Sequence, residues 1–257
     1  MKNALIGYTG FVGTNLMKQF KFDFLFNRKN INKIIDNSYN MIVCCAPNAE
    51  KWLANQEPAR DLNNIKKLIK YLSEVSCKKF ILISTVDVFN KPINVYENTN
   101  IVENKLKPYG VNRRLLEKFV EQNFNNHLIV RLPGLIGNGL KKNTIFDLHN
   151  KNEVIKIDSR SIYQFYPINI LWKNIILACK LKIKLIHLNS EPISIHEISK
   201  KCFNINFTNK LNKPIPNYNM KSLYSKNLFK SFNFYHLNKK QIILSIKDYI
   251  KSEPKKK

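Results

Sequence analysis

Residues 7–13 read Gly-Tyr-Thr-Gly-Phe-Val-Gly, and this stretch constrains the fold of the chain more than any other. It directly follows an apolar run at residues 4–6, and Val12, Leu16 and Phe20 then recur at the four-residue spacing of a helix that packs on a sheet. A strand therefore passes into a helix through glycine. In that context the missing Cβ atoms allow a tight turn, close helix–strand packing and the approach of backbone N–H groups to a pyrophosphate. The sequence predicts a turn that binds the phosphates of a nucleotide at a helix N-terminus.

Glycine is scarce elsewhere, which makes each remaining glycine informative. The chain of 257 residues has 7 glycines, and they fall in three short stretches: Gly7, Gly10 and Gly13; Gly110; and Gly134, Gly137 and Gly139. In so glycine-poor a chain, each one indicates a position where a side chain would clash or where φ is positive.

Apolar runs alternate with helical patterns along the first half of the chain. Buried strands are predicted at residues 22–26, 41–45, 80–84 and 127–131. Helices are predicted at residues 58–73 and 112–124, and later segments at 185–188 (strand), 194–203 and 241–250 (helices). This alternation predicts a parallel, doubly wound α/β sheet with right-handed crossovers.

Candidate site residues lie at the end of one predicted strand and at the start of one predicted helix. Ser84 and Thr85 end the strand at residues 80–84, at the sheet edge where ligands bind in such folds. Tyr109 and Arg113 stand four residues apart at a helix start, and therefore on one face. A free tyrosine has a pKa of about 10, and a nearby fixed cation favours the phenolate, so this tyrosine is a candidate acid/base. The alternatives are a strand cap for the hydroxyls, and packing with a solvated charge for Tyr109 and Arg113.

Taken in order, these motifs resemble the extended short-chain dehydrogenase/reductase family, the NAD(P)-dependent sugar epimerases, dehydratases and reductases. The motifs are the glycine turn, Ser84-Thr85, Tyr109-Gly110-x-x-Arg113 and Arg131-Leu132-Pro133-Gly134. The resemblance implies an α/β fold, a doubly wound parallel Rossmann-type sheet with a small C-terminal substrate lobe. It implies an NAD(P)-binding domain at residues 1–140 and a mostly substrate-binding lobe at 141–252, with 159–190 returning to the main sheet. Residues 253–257 are expected to form a disordered tail.

The resemblance also implies roles for individual residues. Thr85 would hydrogen-bond the substrate oxygen at the reacting carbon, Tyr109 would be the acid/base, and Arg113 would take the place of the family's lysine beside the nicotinamide ribose. An arginine keeps the charge, but its planar fork is not interchangeable with an ammonium. The cofactor-binding positions are Gly7, Thr9, Gly10, Phe11, Val12, Gly13, Asn27, Arg28, Ala46, Pro47, Tyr109, Arg113 and Pro133.

Cofactor choice depends on the end of the second strand, where an acidic residue would bind the 2′-hydroxyl of NAD. The chain has Asn27-Arg28-Lys29 there. Two cations and no carboxylate favour the 2′-phosphate of NADP(H), unless Arg28 and Lys29 are ordinary surface cations.

The reaction type is narrowed by Val86 and Asp87, which stand where the family's dehydratases have an Asp-Glu pair. The resemblance therefore implies reduction, or epimerisation at C4, of a nucleotide-activated sugar, as in the 4-keto-sugar reductases. Candidate sugar or diphosphate contacts are Lys141, Lys142, Arg160 and Gln164.

A formal net charge of +25 leaves other functions open. The basic residues are scattered as compositional bias would place them, yet an RNA-binding protein or a non-catalytic NAD(P) sensor on the same scaffold remains an alternative. The cysteines and histidines lack metal-ligand spacing, so no metal is expected. No apolar run approaches the length of a membrane span, and a cytoplasmic protein is expected. The family resemblance implies a homodimer formed by the helices at Pro58 and Asn112.

Overall fold

The computed structural model describes residues 2–35, 37–231 and 233–255. Its strands are β1 (Lys2–Ile6), β2 (Phe24–Phe26), β3 (Ser38–Cys44), β4 (Ser76–Thr85), β5 (Ile93–Val95), β6 (His127–Leu132), β7 (Gly134–Ile136), β8 (Ile162–Tyr163), β9 (Phe165–Pro167), β10 (Leu185–His187), β11 (Ile193–Ser194) and β12 (Asn219–Met220). Its helices are α1 (Phe11–Met17), α2 (Lys51–Gln56), α3 (Pro58–Leu72), α4 (Pro108–Asn123), α5 (Thr144–Asn150), α6 (Leu171–Lys180), α7 (Ile195–Phe203), α8 (Ser225–Phe229) and α9 (Lys239–Ser252).

The main sheet has six strands in the order β10-β6-β4-β3-β1-β2. The β1–β2, β1–β3 and β3–β4 pairs are parallel, with Ile6 opposite both Phe26 and Cys44. The chain leaves β1 to one side for β2 and returns on the other side as β3, so the strand order reverses between β1 and β3. Such a switch point opens a crevice at the carboxyl ends of the strands, where α/β proteins bind ligands. The doubly wound parallel fold predicted from the sequence is confirmed.

The core of this sheet explains why its strands read as continuous apolar runs. Ile42 of β3 and Phe80 of β4 are fully buried, as are Ile65 of α3 and Val120 of α4. Both helices thus present their apolar stripes to the sheet. Phe124, at the end of α4, stacks on Phe80 with ring centroids 4.2 Å apart.

The described residues divide into two compact units, each drawn from separate parts of the chain. The first is drawn from Met1–Asn90, Thr99–Arg131 and Leu171–Ile186, and the second from Lys91–Asn98, Leu132–Ile170 and His187–Lys257. Small strand pairs build the second unit: β7 with β9, β8 with β11, and β5 with β12. Among the described residues, no helix is long and apolar enough to cross a membrane.

Several element boundaries differ from the sequence prediction, and two of these differences have a clear local cause. The helix expected at residues 112–124 begins at Pro108, because proline is well suited to the first turn of a helix and lacks an N–H that would need a partner. The closing helix begins at Lys239 rather than at residue 241, since Asn238 forms a capping box with Gln241. Of the expected tail, Glu253 accepts a hydrogen bond from the Gly139 N–H at 2.7 Å, and residues 256–257 lie outside the described residues.

Candidate active site

The glycine turn lies at the switch point of the sheet. The structural reason for glycine differs among its three glycine positions. Gly7 has φ of +86°, and a Cβ there would lie 3.0 Å from the backbone nitrogen of Ala46. A Cβ on Gly13 would lie 2.3 Å from the carbonyl oxygen of Gly7, so the return of α1 over β1 requires glycine. At Gly10 the nearest protein atom to such a Cβ is the same oxygen, at an ordinary 3.4 Å. Protein packing therefore requires Gly7 and Gly13 but leaves space at Gly10.

The start of α1 presents backbone donors beside that space. Gly10 is the N-cap residue, and its carbonyl accepts from the N–H of Thr14 at 2.9 Å. The N–H groups of Phe11 and Val12 belong to the first helical turn, which has no carbonyl four residues earlier in the helix to accept them. Thr9 and Gly10 are exposed. The turn predicted from the sequence thus has the form of an anion-binding turn.

The end of β2 lies beside the turn, because the N–H of Gly7 donates to the carbonyl of Phe26 at 2.7 Å. Asn27 ties the two segments together by donating from Nδ2 to the Tyr8 hydroxyl at 3.0 Å. Arg28 and Lys29 are exposed, and Arg28 forms no ion pair with any described residue. Asn27 therefore organises the loop, while the two cations remain accessible.

The end of β4 places Thr85 before a short 3-10 turn, Val86–Val88. Its hydroxyl accepts from the N–H of Asp87 at 3.2 Å and lies 3.4 Å from the carboxylate of Asp87. The same carboxylate forms an ion pair with the ammonium of Lys51 at 2.6 Å. The Thr85 hydroxyl thus caps the turn after β4, as one interpretation of the sequence expects, and it also lies next to the Lys51–Asp87 ion pair.

The first turn of α4 lies against this segment. A Cβ on Gly110 would lie 2.3 Å from the carbonyl oxygen of Asp87, so only glycine permits the approach. The preceding residue, Tyr109, is 6% exposed, and its N–H donates to the side chain of Asn55 at 3.0 Å. Thr85 and Tyr109 therefore belong to segments that touch through Asp87 and Gly110.

Arg113 is held by several partners. Its guanidinium donates to the two carboxylate oxygens of Asp61 at 2.7 and 3.1 Å and to the carbonyl of Asn48 at 2.6 Å. It also lies over the ring of Tyr109, with 4.1 Å between the guanidinium carbon and the ring centroid. Asn48 follows Ala46 and Pro47, so Arg113 joins α4 to the segment after β3.

The electrostatics of Tyr109 reflect this packing. Burial raises the pKa of the Tyr109 phenol above its ordinary value, and Asp87 adds to that effect, while Arg113 and Lys51 act in the opposite direction. From the sequence, a neighbouring cation is expected to lower this pKa. In the structure burial outweighs the cation, and Tyr109 carries its proton at neutral pH.

A second charged cluster lies beneath the site. Glu117 of α4 accepts from Arg131 at 2.9 and 2.7 Å and from the hydroxyl of Ser84 at 2.6 Å. Glu117 is fully buried and Arg131 is 2% exposed. The sequence places Arg131 in a motif but does not single out Glu117. A signal existed, since Glu117 follows Arg113 by four residues and so lies on the face of α4 that packs inward.

Lys51, Asp61 and Asp87 were also missed as charged groups of the site. Lys51 and Asp61 reach the site because α2 and α3 pack against α4, and this tertiary packing has no local signal in the sequence. Asp87 was noted only as evidence against dehydration.

The remaining predicted contacts belong to the second unit. Pro133 lies between β6 and β7, and Lys141 and Lys142 are exposed. Arg160 donates to Asp158 at 2.7 Å, and this bond holds the pKa of the Asp158 carboxyl well below its usual range. Gln164 is 1% exposed and donates to the carbonyl of Met220 at 2.8 Å, so its amide serves the interior of this unit.

Comparison with known proteins gives structural matches only. No protein-family model and no curated protein sequence matches the chain. The fold is similar to dTDP-4-dehydrorhamnose reductase from Yersinia enterocolitica, at a TM-score of 0.72 and 20% identity over 98% of this chain and 99% of that one. It is also similar to a mutant UDP-glucuronic acid 4-epimerase from Bacillus cereus, solved with UDP-4-deoxy-4-fluoro-glucuronic acid and NAD. That match has a TM-score of 0.71 and 15% identity over 98% of this chain and 99% of that one.

The enzyme WbmG from Bordetella bronchiseptica, solved with NAD, matches at a TM-score of 0.75 and 13% identity over 97% of this chain and 94% of that one. At these identities the likeness shows the fold, a Rossmann-type α/β architecture that the chain shares over almost its whole length.

Proposed function

We propose that the protein is an NAD(P)-dependent reductase or epimerase of a nucleotide-activated sugar, with hydride transfer at a keto or hydroxyl carbon and Tyr109 as the acid/base. The similar solved structures include enzymes named for these two reactions, which supports the proposal.

One observation supports it most: the predicted cofactor and catalytic segments form a continuous series of contacts in the first unit. Gly7 touches Ala46, the segment after Ala46 binds Arg113 through Asn48, and Arg113 lies over Tyr109. Gly110 in turn touches Asp87, which bonds Thr85. Residues that are far apart in sequence thus lie along one edge of the sheet, where such folds bind ligands.

The glycine turn fits a dinucleotide. The space at Gly10 is the feature that supports this fit, because neither backbone strain nor packing within the protein explains a glycine there. A nicotinamide dinucleotide bound at this edge would supply or accept the hydride. Phe11 and Val12 would hold its pyrophosphate through their backbone N–H groups, while the N–H of Gly10 donates to the carbonyl of Gly7 at 3.0 Å.

The protein groups would then handle the proton. Thr85 would donate its hydroxyl hydrogen to the substrate oxygen, and Tyr109 would give its proton to the same oxygen as the carbon is reduced. In an epimerase the same tyrosine would first accept a proton and later return it, so reduction and epimerisation both assign Tyr109 the acid/base role.

We further propose that NADP(H) is preferred. Arg28 and Lys29 are exposed directly after β2, whose last carbonyl binds the glycine turn, so a ribose at this strand end would meet two cations and no carboxylate. The second unit, which contains most of residues 141–252, would provide the sugar-nucleotide lobe.

The test is an assay of turnover with a panel of nucleotide-linked 4-keto sugars and of nucleotide sugars that differ in configuration at C4. Oxidation of NADPH reports reduction, and product analysis reports epimerisation. Tyr109→Phe removes only the phenolic oxygen, and we expect it to abolish turnover while cofactor binding stays within twofold. Unchanged turnover in Tyr109→Phe would contradict the assigned chemistry. Cofactor binding without turnover of any substrate in the panel would instead favour the non-catalytic sensor.

A further inference from the structure

The cation that the sequence assigns to Tyr109 is shared between that tyrosine and other partners. Arg113 is 5% exposed, and its guanidinium makes hydrogen bonds to both carboxylate oxygens of Asp61 and to the carbonyl of Asn48. Its charge is therefore balanced by a carboxylate at contact distance, and its planar fork is fixed in place. A cation held in this way keeps one position, from which its charge and a hydrogen bond already lower the pKa of Tyr109.

A second cation approaches the same tyrosine from α2. Asn55 accepts a hydrogen bond from the backbone N–H of Tyr109, so this face of α2 lies against the start of α4. Lys51 precedes Asn55 by four residues and therefore lies on the same helix face, one turn away. The Lys51 side chain is 42% exposed, whereas Arg113 is 5% exposed.

Asp87 connects this lysine to the site. Its carboxylate binds the Lys51 ammonium at 2.6 Å and lies 3.4 Å from the Thr85 hydroxyl, and its carbonyl oxygen lies against Gly110, the residue after Tyr109. Asp87 therefore holds Lys51 beside the two residues to which the proposed chemistry is assigned.

We propose that the Lys51–Asp87 pair controls proton transfer by Tyr109, with Lys51 as a positioning residue that takes over part of the role of the family's lysine. The inference rests on the proposed function. In the step concerned, the O–H bond of Tyr109 breaks and an O–H bond to the substrate oxygen forms, as hydride from a reduced nicotinamide reaches the carbon. A phenolate remains, and Lys51 stabilises it once its ammonium moves from Asp87 toward that oxygen.

The charges that face Tyr109 set the direction of each expected effect. Arg113 is on its own helix, Lys51 on α2 and Asp87 on the turn after β4, while Asp61 on α3 acts through Arg113. Removing a facing carboxylate leaves a cation unopposed and makes the phenol more acidic, and removing the cation makes it less acidic.

The experiment is a pH titration of phenolate absorbance, with each variant measured against the same variant that also carries Tyr109→Phe, so that Tyr109 is isolated from the other tyrosines. Circular dichroism at every pH confirms that the fold persists. This readout needs neither cofactor nor substrate, so its result is independent of whether the proposed function is correct.

We expect Asp87→Asn to lower the midpoint of the Tyr109 titration by about one pH unit. The double variant Asp87→Asn/Lys51→Met should reverse that shift. Lys201→Met is the matched control, because Lys201 forms a similar half-exposed pair with Glu197 in the second unit, at 2.7 Å. A midpoint that is the same in Asp87→Asn with and without Lys51→Met would overturn the proposal. So would an equal shift in the Lys201→Met control.

Discussion

Arg113 forms a bidentate ion pair with Asp61, with guanidinium-to-carboxylate distances of 2.7 and 3.1 Å. The geometry explains why arginine, rather than the lysine of the resembled family, fits this position. A guanidinium fork matches both carboxylate oxygens and still reaches the carbonyl of Asn48, whereas an ammonium is a point charge without that planar match. An arginine at position 113 is therefore tied to Asp61.

Asp61→Asn should destabilise the protein by about 3 kcal/mol, because it leaves the buried Arg113 charge without a carboxylate. Urea unfolding at neutral pH measures the loss. Glu57→Gln is the matched control, since Glu57 pairs with Arg60 in solvent and its loss should have little effect. Equal effects of the two substitutions would contradict a buried pair.

Gly13→Ala should cost at least about 2 kcal/mol of unfolding free energy, because its methyl group would overlap the Gly7 carbonyl oxygen at 2.3 Å. Gly10→Ala should cost less than about 1 kcal/mol, since the nearest protein atom lies at 3.4 Å. Thermal and urea unfolding compare the two. If Gly10→Ala proves as damaging as Gly13→Ala, the space at Gly10 serves the fold rather than a ligand.

Arg131→Met should destabilise the protein by about 3 kcal/mol, because the fully buried Glu117 would lose its bidentate partner and keep only Arg114, at 3.0 Å. The double variant Glu117→Leu/Arg131→Met should recover much of that loss, since two apolar side chains replace the pair. A double-mutant cycle measured by urea unfolding separates the interaction energy of the pair from the effect of each single substitution. Additive losses would show that the two residues do not act as a pair.

His236 should make the stability of the protein depend on pH. Burial lowers the pKa of its imidazole from an ordinary 6.5 to about 3, and its ring stacks on Phe229. The folded state thus takes up this proton less readily than the unfolded state does. The stability it contributes is present above pH about 6.5 and is lost as pH falls toward 3, by up to roughly 5 kcal/mol.

His236→Phe should therefore flatten the stability profile between pH 6.5 and about 4, measured by urea unfolding at a series of pH values, because phenylalanine keeps the ring and removes the proton. The exposed His196 provides the control, and His196→Gln should leave the profile unchanged. A wild-type slope retained in His236→Phe would show that other groups produce it.

The main sheet was predictable because its signals are local. The apolar runs that became β1, β3, β4 and β6 are continuous, and the glycines at 7 and 13 mark close backbone approaches that the structure contains. Thr85, Tyr109 and Arg113 could be chosen from the order of motifs along the chain, and their roles remain predictions.

The electrostatic setting of those residues was not predictable. Asp61 lies 52 residues from Arg113 and Lys51 lies 36 residues from Asp87, and only the packing of α2 and α3 brings these partners together. The same limit affected Gln164, expected as a ligand contact, whose amide is used inside the second unit. A polar residue between apolar neighbours has the same appearance in sequence whether it meets a ligand or a buried carbonyl.

The most direct test of the account is a fluorescence titration of the protein with NADPH and with NADH, repeated on Gly10→Asp. We expect NADPH to bind more tightly than NADH, and Gly10→Asp to weaken both by at least about tenfold while keeping the wild-type fold, because a carboxylate would then occupy the space kept for the pyrophosphate. Equal affinities would remove the proposed NADP(H) preference. Absence of binding by the wild-type protein, or unchanged binding by Gly10→Asp, would contradict the central claim that the glycine turn holds a nicotinamide dinucleotide.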